Sequence, residues 1–198
     1  MKVERFIFGP FETNTYVVSD DAKRAMIIDP ACLYPYEQQT LERYIETAGF
    51  TVERIIATHG HLDHLWGAKW ATEKWSLPVL IHEADIPMAQ AMQEQYNMFG
   101  IRTTAESFPI ESLQPSAFSF QIIPTPGHTQ GSICLYWEKE KVLLSGDTLF
   151  RMGYGRTDLP GGNMGQLIDS LERLFDLPAE VRVYPGHGDP TTIGAERR

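Results

Sequence analysis

The sequence has little that would staple, anchor or attract it from outside. Cysteine is scarce: Cys32 and Cys134 are the only two among 198 residues, too few for a disulfide framework. A reducing compartment, the cytoplasm, is therefore the expected location. No apolar run approaches the roughly 18–20 residues that a membrane-spanning helix needs, so no membrane partner is expected. The opening MKVERFIFGPFE is broken by charges and Pro10 and lacks the apolar centre of an export signal. Basic residues are in deficit, 17 Lys and Arg against 26 Asp and Glu, for a net charge of −9. That balance speaks against a large nucleic-acid footprint, which needs clustered cations. There is no Ser/Gly linker, low-complexity tract or short repeat. What is present is ordinary for a globular chain: 42% apolar and 22% charged residues. At this length folding buries roughly 70% of the surface an unfolded chain exposes, and one domain over residues 1–198 is expected.

Short β-branched and aromatic runs at 3–8, 15–18 and 25–28 read as strands, with Asp20-Asp21 at a hairpin turn. Residues 36–48 read as a helix, because Leu41, Tyr44, Ile45 and Ala48 recur at helical spacing and Gly49 suits the stop. A buried strand is expected at 52–57, a helix at 65–75, a strand at 78–81 and a helix at 83–98; the stretch to about Pro115 carries no clear period. Strands follow at 118–123, 132–137 and 142–144, the last two joined by a charged turn at 138–141. A helix at 165–174 and a last strand at 181–184 complete the pattern. Two β-rich halves, each with helices outside, imply a layered α/β fold.

Five of the six histidines lie in loops after these strands, beside Gly, Pro or Asp. Three sit in His59-x-His61-x-Asp63-His64; His128 lies in Thr-Pro-Gly-His-Thr and His187 in Tyr-Pro-Gly-His-Gly-Asp. Asp147 ends a strand in Ser-Gly-Asp-Thr. Neutral imidazoles and carboxylates presented from several strand ends are what borderline and harder divalent cations bind. In a tight loop His59 and His61 point the same way, while Asp63 and His64 begin the next helix and turn to a neighbouring position. One loop then serves two ions, though a site for a single ion fits the same residues. His82 stands outside the pattern and reads as an ordinary structural histidine.

The chain resembles the metallo-β-lactamase-fold hydrolases. Within them it is most similar to short, single-domain relatives of glyoxalase II, the hydroxyacylglutathione hydrolases. The resemblance runs from Gly9-Pro10 and Asn14-Thr15-Tyr16 through Ile27-Ile28-Asp29-Pro30 to Pro185-Gly186-His187. It is most specific at 125–132 (TPGHTQGS), 146–150 (GDTLF) and Gly155-Arg156. It implies a four-layer αββα sandwich with the metals at one sheet edge. It assigns His59, His61 and His128 to one metal and Asp63, His64 and His187 to a second, with Asp147 bridging. The implied cofactors are two divalent ions, with zinc favoured and iron or manganese as alternatives. The implied reaction is hydrolysis of a small-molecule thioester such as S-lactoylglutathione by hydroxide formed at the metals, with Asp63 orienting it. Full-length glyoxalase II carries a C-terminal helical region that supplies much of its glutathione surface; here only residues 188–198 follow the last histidine. Tyr154 stands where many relatives have a small residue or Cys, so Tyr154 and Arg156 are candidate substrate-binding residues.

Other chemistries fit the same residues. An iron-dependent persulfide dioxygenase would use His59, His128 and Asp147 as a two-His-one-carboxylate triad. A phosphodiesterase or nuclease of the same fold would share two-metal hydrolysis. A secreted β-lactamase and a binding module without catalysis fit less well, the first for want of an export signal and the second because every ligand position is filled. Cys134 lies in an alternating apolar run and reads as core, as do Trp66 and Trp70. Met88, Met92 and Met98 read as adaptable packing or as a lid over an acyl group. Arg151 and Arg156 read as ion pairs or as carboxylate anchors.

Overall fold

The computed structural model describes residues 1–114 and 120–197. These form two compact units, Met1–Leu113 and Gln114–Arg198, each a sheet with helices packed on one face. No helix among the described residues is long and apolar enough to cross a membrane.

The first unit begins with β1 (Lys2–Phe8), β2 (Thr13–Ser19) and β3 (Arg24–Ile28), paired antiparallel in sequence order. The turn between β2 and β3 is the expected Asp20-Asp21 corner: the Asp20 carboxylate accepts from the backbone N–H groups of Ala22 and Arg24. Helix α1 (Pro35–Ala48) follows, starting on a proline and stopping at Gly49 in the left-handed conformation (φ 67°). Three strands then add in parallel: β4 (Thr51–Ile56), β5 (Val79–Ile81) and β6 (Ile110–Ser112). Parallel strands require crossovers. These are α1, then α2 (Ala68–Trp75), then a segment holding α3 (Ile86–Gln90) and α4 (Met92–Met98). Val17, Ala25 and Ile27 pack with Leu41 and Ile45 of α1. Ile55, Val79 and Ile81 pack with Ala68 and Ala71 of α2. The opposite face carries Tyr16, Val18, Ile28 and Ile56, which are buried too. Apolar residues on both faces make these near-continuous hydrophobic strands.

The second unit has the sheet order β13-β12-β9-β8-β7: β7 (Gln121–Pro124), β8 (Ile133–Trp137), β9 (Val142–Gly146), β12 (Arg182–Pro185) and β13 (Thr191–Thr192). Only the β9–β12 pair is parallel. A two-stranded ribbon, β10 (Leu149–Phe150) with β11 (Gly153–Tyr154), forms a separate sheet beside β9 and β12. Helix α5 (Met164–Phe175) is capped by the Asn163 side chain and lays Leu167, Leu171 and Leu174 on Cys134, Tyr136, Leu143 and Val183. A short α6 (Ile193–Glu196) ends the chain.

Several expectations need correction. The helix expected at 65–75 starts only at Ala68; Leu62–His64 forms a separate 3₁₀ turn, so Asp63 and His64 do not open the helix. The chain at 65–67 is tied to the end of β3: the Gly67 N–H donates to Pro30 O, and a Cβ at Gly67 would lie 2.4 Å from Cys32 Sγ. The helix expected at 83–98 is three pieces, a 3₁₀ turn at Glu83–Asp85 and then α3 and α4, parted at Ala91. There the Met88 carbonyl accepts from both the Ala91 N–H and the Gln95 side chain. The strand expected at 118–123 is β7, beginning at Gln121; residues 118–119 lie outside the described residues. The strand at 181–184 is not the last, since β13 follows it. The ribbon β10–β11 had no sequence counterpart.

Ile27 is fully buried at the centre of the first unit. Ile27→Ala is expected to lower unfolding free energy by about 2–5 kcal/mol, read as a shift of the urea midpoint by circular dichroism.

Candidate metal centre

In the first unit, the carboxyl ends of the parallel strands bring Asp29 (after β3) beside Thr58 and the His59–His64 loop (after β4). Parallel α/β sheets place ligand-handling residues at such strand ends. Asp29 is 1% exposed and holds φ 54°, a left-handed conformation that Asp tolerates better than most residues. Its Oδ1 accepts from the Thr58 N–H (2.7 Å), and its Oδ2 accepts from Thr58 Oγ1 (2.8 Å) and His64 Nδ1 (3.0 Å). Thr58 Oγ1 also lies 3.1 Å from His59 Nδ1.

These bonds fix where the hydrogens are. A carboxylate only accepts, so His64 carries its hydrogen on Nδ1. Thr58 has one hydroxyl hydrogen, which goes to Asp29, so its oxygen accepts from His59, and His59 also carries hydrogen on Nδ1. Nε2 is then the nitrogen of each ring that carries a lone pair whenever the ring is neutral. The His59 ring lies 4.8 Å from that of His61 and 4.1 Å from that of His64, centroid to centroid. Asp63 Oδ2 accepts from Thr13 Oγ1 (2.8 Å) and sits 3.5 Å from His64 Nε2. All four donors are buried. Sinking three imidazoles and a carboxylate into six residues costs free energy that an apolar loop would avoid.

The second unit repeats the device. His128 sits in the β7–β8 loop, which Gly127 O and Pro126 O tie to the cap and the middle of α5 by accepting from Asn163 N–H and Ser170 Oγ. His128 Nδ1 lies 2.7 Å from the Arg156 carbonyl. A carbonyl only accepts, so this third histidine also carries hydrogen on Nδ1 and turns Nε2 to the other side of the ring. Asp147 follows β9 and His187 follows β12, and Gly186 N–H donates to Gly146 O to bind these two strand ends together. Nε2 of His128 and Nε2 of His187 each lie 3.5 Å from Asp147 Oδ2. The sequence-expected ligands thus gather as His59, His61, Asp63 and His64 in one unit and His128, Asp147 and His187 in the other. Histidines whose second nitrogen is held by a carboxylate, hydroxyl or carbonyl are the arrangement of metal-binding sites.

The family model of the Metallo-beta-lactamase superfamily matches residues 8–187. The chain belongs to this superfamily. It is 36% identical over 206 residues to the probable metallo-hydrolase YqgX of Bacillus subtilis, covering all of this chain and 95% of that protein. It is 33% identical over 207 residues to the hydroxyacylglutathione hydrolase GloC of Haemophilus influenzae, covering all of this chain and 96% of that protein. Among solved structures, TTHA1623 in a di-iron-bound form superposes with a TM-score of 0.89 at 34% identity, over 99% of this chain and 98% of that one. The BLEG-1 B3 metallo-beta-lactamase does so at 0.87 and 32%, over 98% and 96%. The mixed α/β class expected from the sequence is the fold these structures share, and the chain is a metallo-hydrolase of the superfamily.

Other expectations resolve locally. His82 Nδ1 accepts from the Ala84 N–H and starts the turn at Glu83–Asp85, a structural role. Cys134 is buried, and burial pushes its thiol up to about 11; burial likewise raises the Cys32 thiol. Met92 packs in the core and Met98 is exposed. Trp66 and Trp70 pack against the first unit's core. Arg156 makes a two-point contact with Asp158 (2.7 Å each), which holds that carboxyl down at about 2, and Arg151 lies 3.7 Å from Asp189. Tyr154 is exposed on β11. Sequence reasoning missed Thr13, Thr58 and the role of Asp29. Only Asp29 carried a signal, an acid closing a buried apolar strand before a proline.

Gly155 shows how tightly the second cluster is fitted: a Cβ there would lie 1.9 Å from Asp147 O and 3.0 Å from His128 Nδ1. Gly155→Ala is expected to cost about 1–3 kcal/mol and to displace His128 from the Arg156 carbonyl. The imidazole Nδ1–H proton signal of His128, slow to exchange in wild type, should broaden or vanish in NMR spectra of the variant.

Proposed function

We propose that the chain is a thioester hydrolase of the hydroxyacylglutathione hydrolase type, acting on a small-molecule thioester such as S-lactoylglutathione. Its ligands for two divalent cations are His59, His61, Asp63, His64, His128, Asp147 and His187. The observation that carries the metal part is the shared tautomer of His59, His64 and His128: in each, Nδ1–H is spent on a protein acceptor and Nε2 keeps the lone pair a cation needs. The substrate class is supported by the Haemophilus influenzae relative, whose name is that activity and which aligns along 96% of its own length. Zinc, iron and manganese all suit imidazole and carboxylate donors, and the di-iron-bound relative supports iron beside zinc.

Cations in such a site supply Lewis acidity and bring the deprotonation of water toward neutral pH. The chain's own residues hold the geometry. Asp29 and Thr58 lock the planes of the His59 and His64 rings. Thr13 holds one oxygen of Asp63 and so sets the carboxylate that orients the attacking water. The Arg156 carbonyl does for His128 what Asp29 does for His64. Water attacks the thioester carbon, the C–S bond breaks, and the products are a carboxylic acid and a thiol. No cysteine nucleophile is needed, and both thiols are buried with raised pKa values.

Elemental analysis of the purified protein, paired with hydrolysis of S-D-lactoylglutathione and with a β-lactam run in parallel, tests this reading. About two metal ions per chain with thioester turnover and no comparable β-lactam turnover is the expected result. One iron per chain without thioester turnover would overturn it in favour of persulfide oxidation. Asp147→Ala is expected to lose metal and turnover together while its circular dichroism spectrum stays that of wild type. Full metal content with full turnover in that variant would remove Asp147 from the ligand set.

A further inference from the structure

The segment between β5 and β6, whose methionines read in the sequence as adaptable packing or a lid, also carries polar side chains that reach another loop. Gln95, on α4, reaches back to the loop that carries His59, His61, Asp63 and His64. Its Oε1 accepts from the Leu62 N–H (2.9 Å), and its Nε2 donates to Gly60 O (2.9 Å) and to Met88 O (2.9 Å). The orientation of this amide is dictated, since a flip would set NH₂ against an N–H and oxygen against two carbonyls. Asp85, 1% exposed, accepts from the Gly60 N–H through Oδ2 (2.8 Å). Both backbone groups of Gly60 and the N–H of Leu62 are thus held by side chains from 25 to 35 residues further along the chain. Gly60 and Leu62 are the residues on either side of His61.

The contact is close as well as polar. A Cβ at Gly60 would lie 3.0 Å from Asp85 O and 3.1 Å from Met88 Cβ. The bond from Gln95 to Met88 O falls where α3 gives way to α4, so the break in the helix is where the side chain reaches the loop. Met92 and Tyr96, on the same short helix, line a cavity with Trp66, Trp70 and Phe108 instead. Gln95 is the α4 side chain through which this helix meets the loop backbone among the described residues.

We propose that Gln95 and Asp85 are positioning residues for the His59–His64 ligand loop, and that the 83–98 segment is a clamp on that loop rather than a lid over the substrate. The proposal rests on the reading of that loop as metal-ligating. Gln95 spans the loop about His61 and fixes the backbone from which His61 and Asp63 project. Asp29 and Thr58 hold the rings of His59 and His64 from the other side. Loss of the amide frees the His61 end of the loop while the Asp29 end stays pinned.

The test uses Gln95→Met, which keeps length and removes all three bonds, with Gln93→Met as the control on the same helix. Gln93 binds Ala105 N and Thr103 O instead of the ligand loop. Metal-free protein is titrated with cobalt(II) alone, and amide hydrogen exchange of the metal-free protein is followed by NMR. Expected for Gln95→Met is a loss of cobalt affinity of about tenfold or more, with exchange at Leu62 at least about tenfold faster and exchange in β3 and β4 unchanged. Gln93→Met is expected to match wild type in both. A Gln95→Met protein with wild-type cobalt affinity and wild-type Leu62 exchange overturns the proposal alone. So does faster exchange spread evenly over β3, β4 and α1, which marks a merely structural residue. A wild type that takes up no cobalt overturns the metal-ligand reading and the proposal with it.

Discussion

The Asp29 carboxylate is the constraint on which the first half of the site depends. It is buried, sits on a left-handed backbone and accepts from the Thr58 backbone, the Thr58 hydroxyl and the His64 ring. A buried carboxylate without such donors would be costly; with three of them it becomes a fixed point. The hydroxyl of Thr58 passes the constraint on to His59. Two rings five residues apart in sequence are thus held by one side chain that was, in the sequence, a single acid at the end of an apolar run.

The scaffold explains why that fixed point can exist. Strands β3, β4 and β5 run parallel with buried apolar side chains on both faces, so their ends cannot slip in register without exposing the core. Asp29 N–H donates to Ile56 O and Ala57 N–H to Leu80 O, carrying the ladder to the last residue before each loop. In the second unit the parallel pair β9–β12 does the same for Asp147 and His187. The clustered His and Asp side chains are carried on loops, and the stability that keeps those loops in place comes from the buried apolar Ile27, Ile55, Leu143, Val183 and their neighbours.

Local chemistry made part of this legible in advance. Strands with β-branched residues, Gly49 as a helix stop and the Asp20 corner follow from short-range rules and stand in the structure. The clustering of the proposed ligands was legible because His, Asp and Gly crowd into short motifs at strand ends. What failed was decided by contacts distant in sequence. The start of α2 waits for Ala68 because Gly67 is bound to Pro30, and the 83–98 helix breaks where the Gln95 side chain turns to Met88 and Gly60. Periodicity cannot see such bonds, since a polar side chain on an amphipathic helix reads the same whether it meets water or a loop backbone. Thr13 was invisible for the same reason: its value lies in facing Asp63, fifty residues away.

The donor set also bears on which metal the chain takes. Neither cysteine is available as a ligand: Cys32 packs with Ile27 and Leu41, and Cys134 with Leu143 and Leu167. Without thiolate, nothing soft in the proposed set favours zinc over iron or manganese, and raw affinity among divalent ions follows a general order that proteins override by geometry and supply. Three of the proposed donors are set by protein bonds to the far nitrogen of the ring, Asp29 to His64, Thr58 to His59 and the Arg156 carbonyl to His128, and Thr13 holds Asp63 through Oδ2. Each is a hydrogen bond within one folded unit. With the proposed donors held in this way before any ion arrives, the ion taken up would follow supply more than softness.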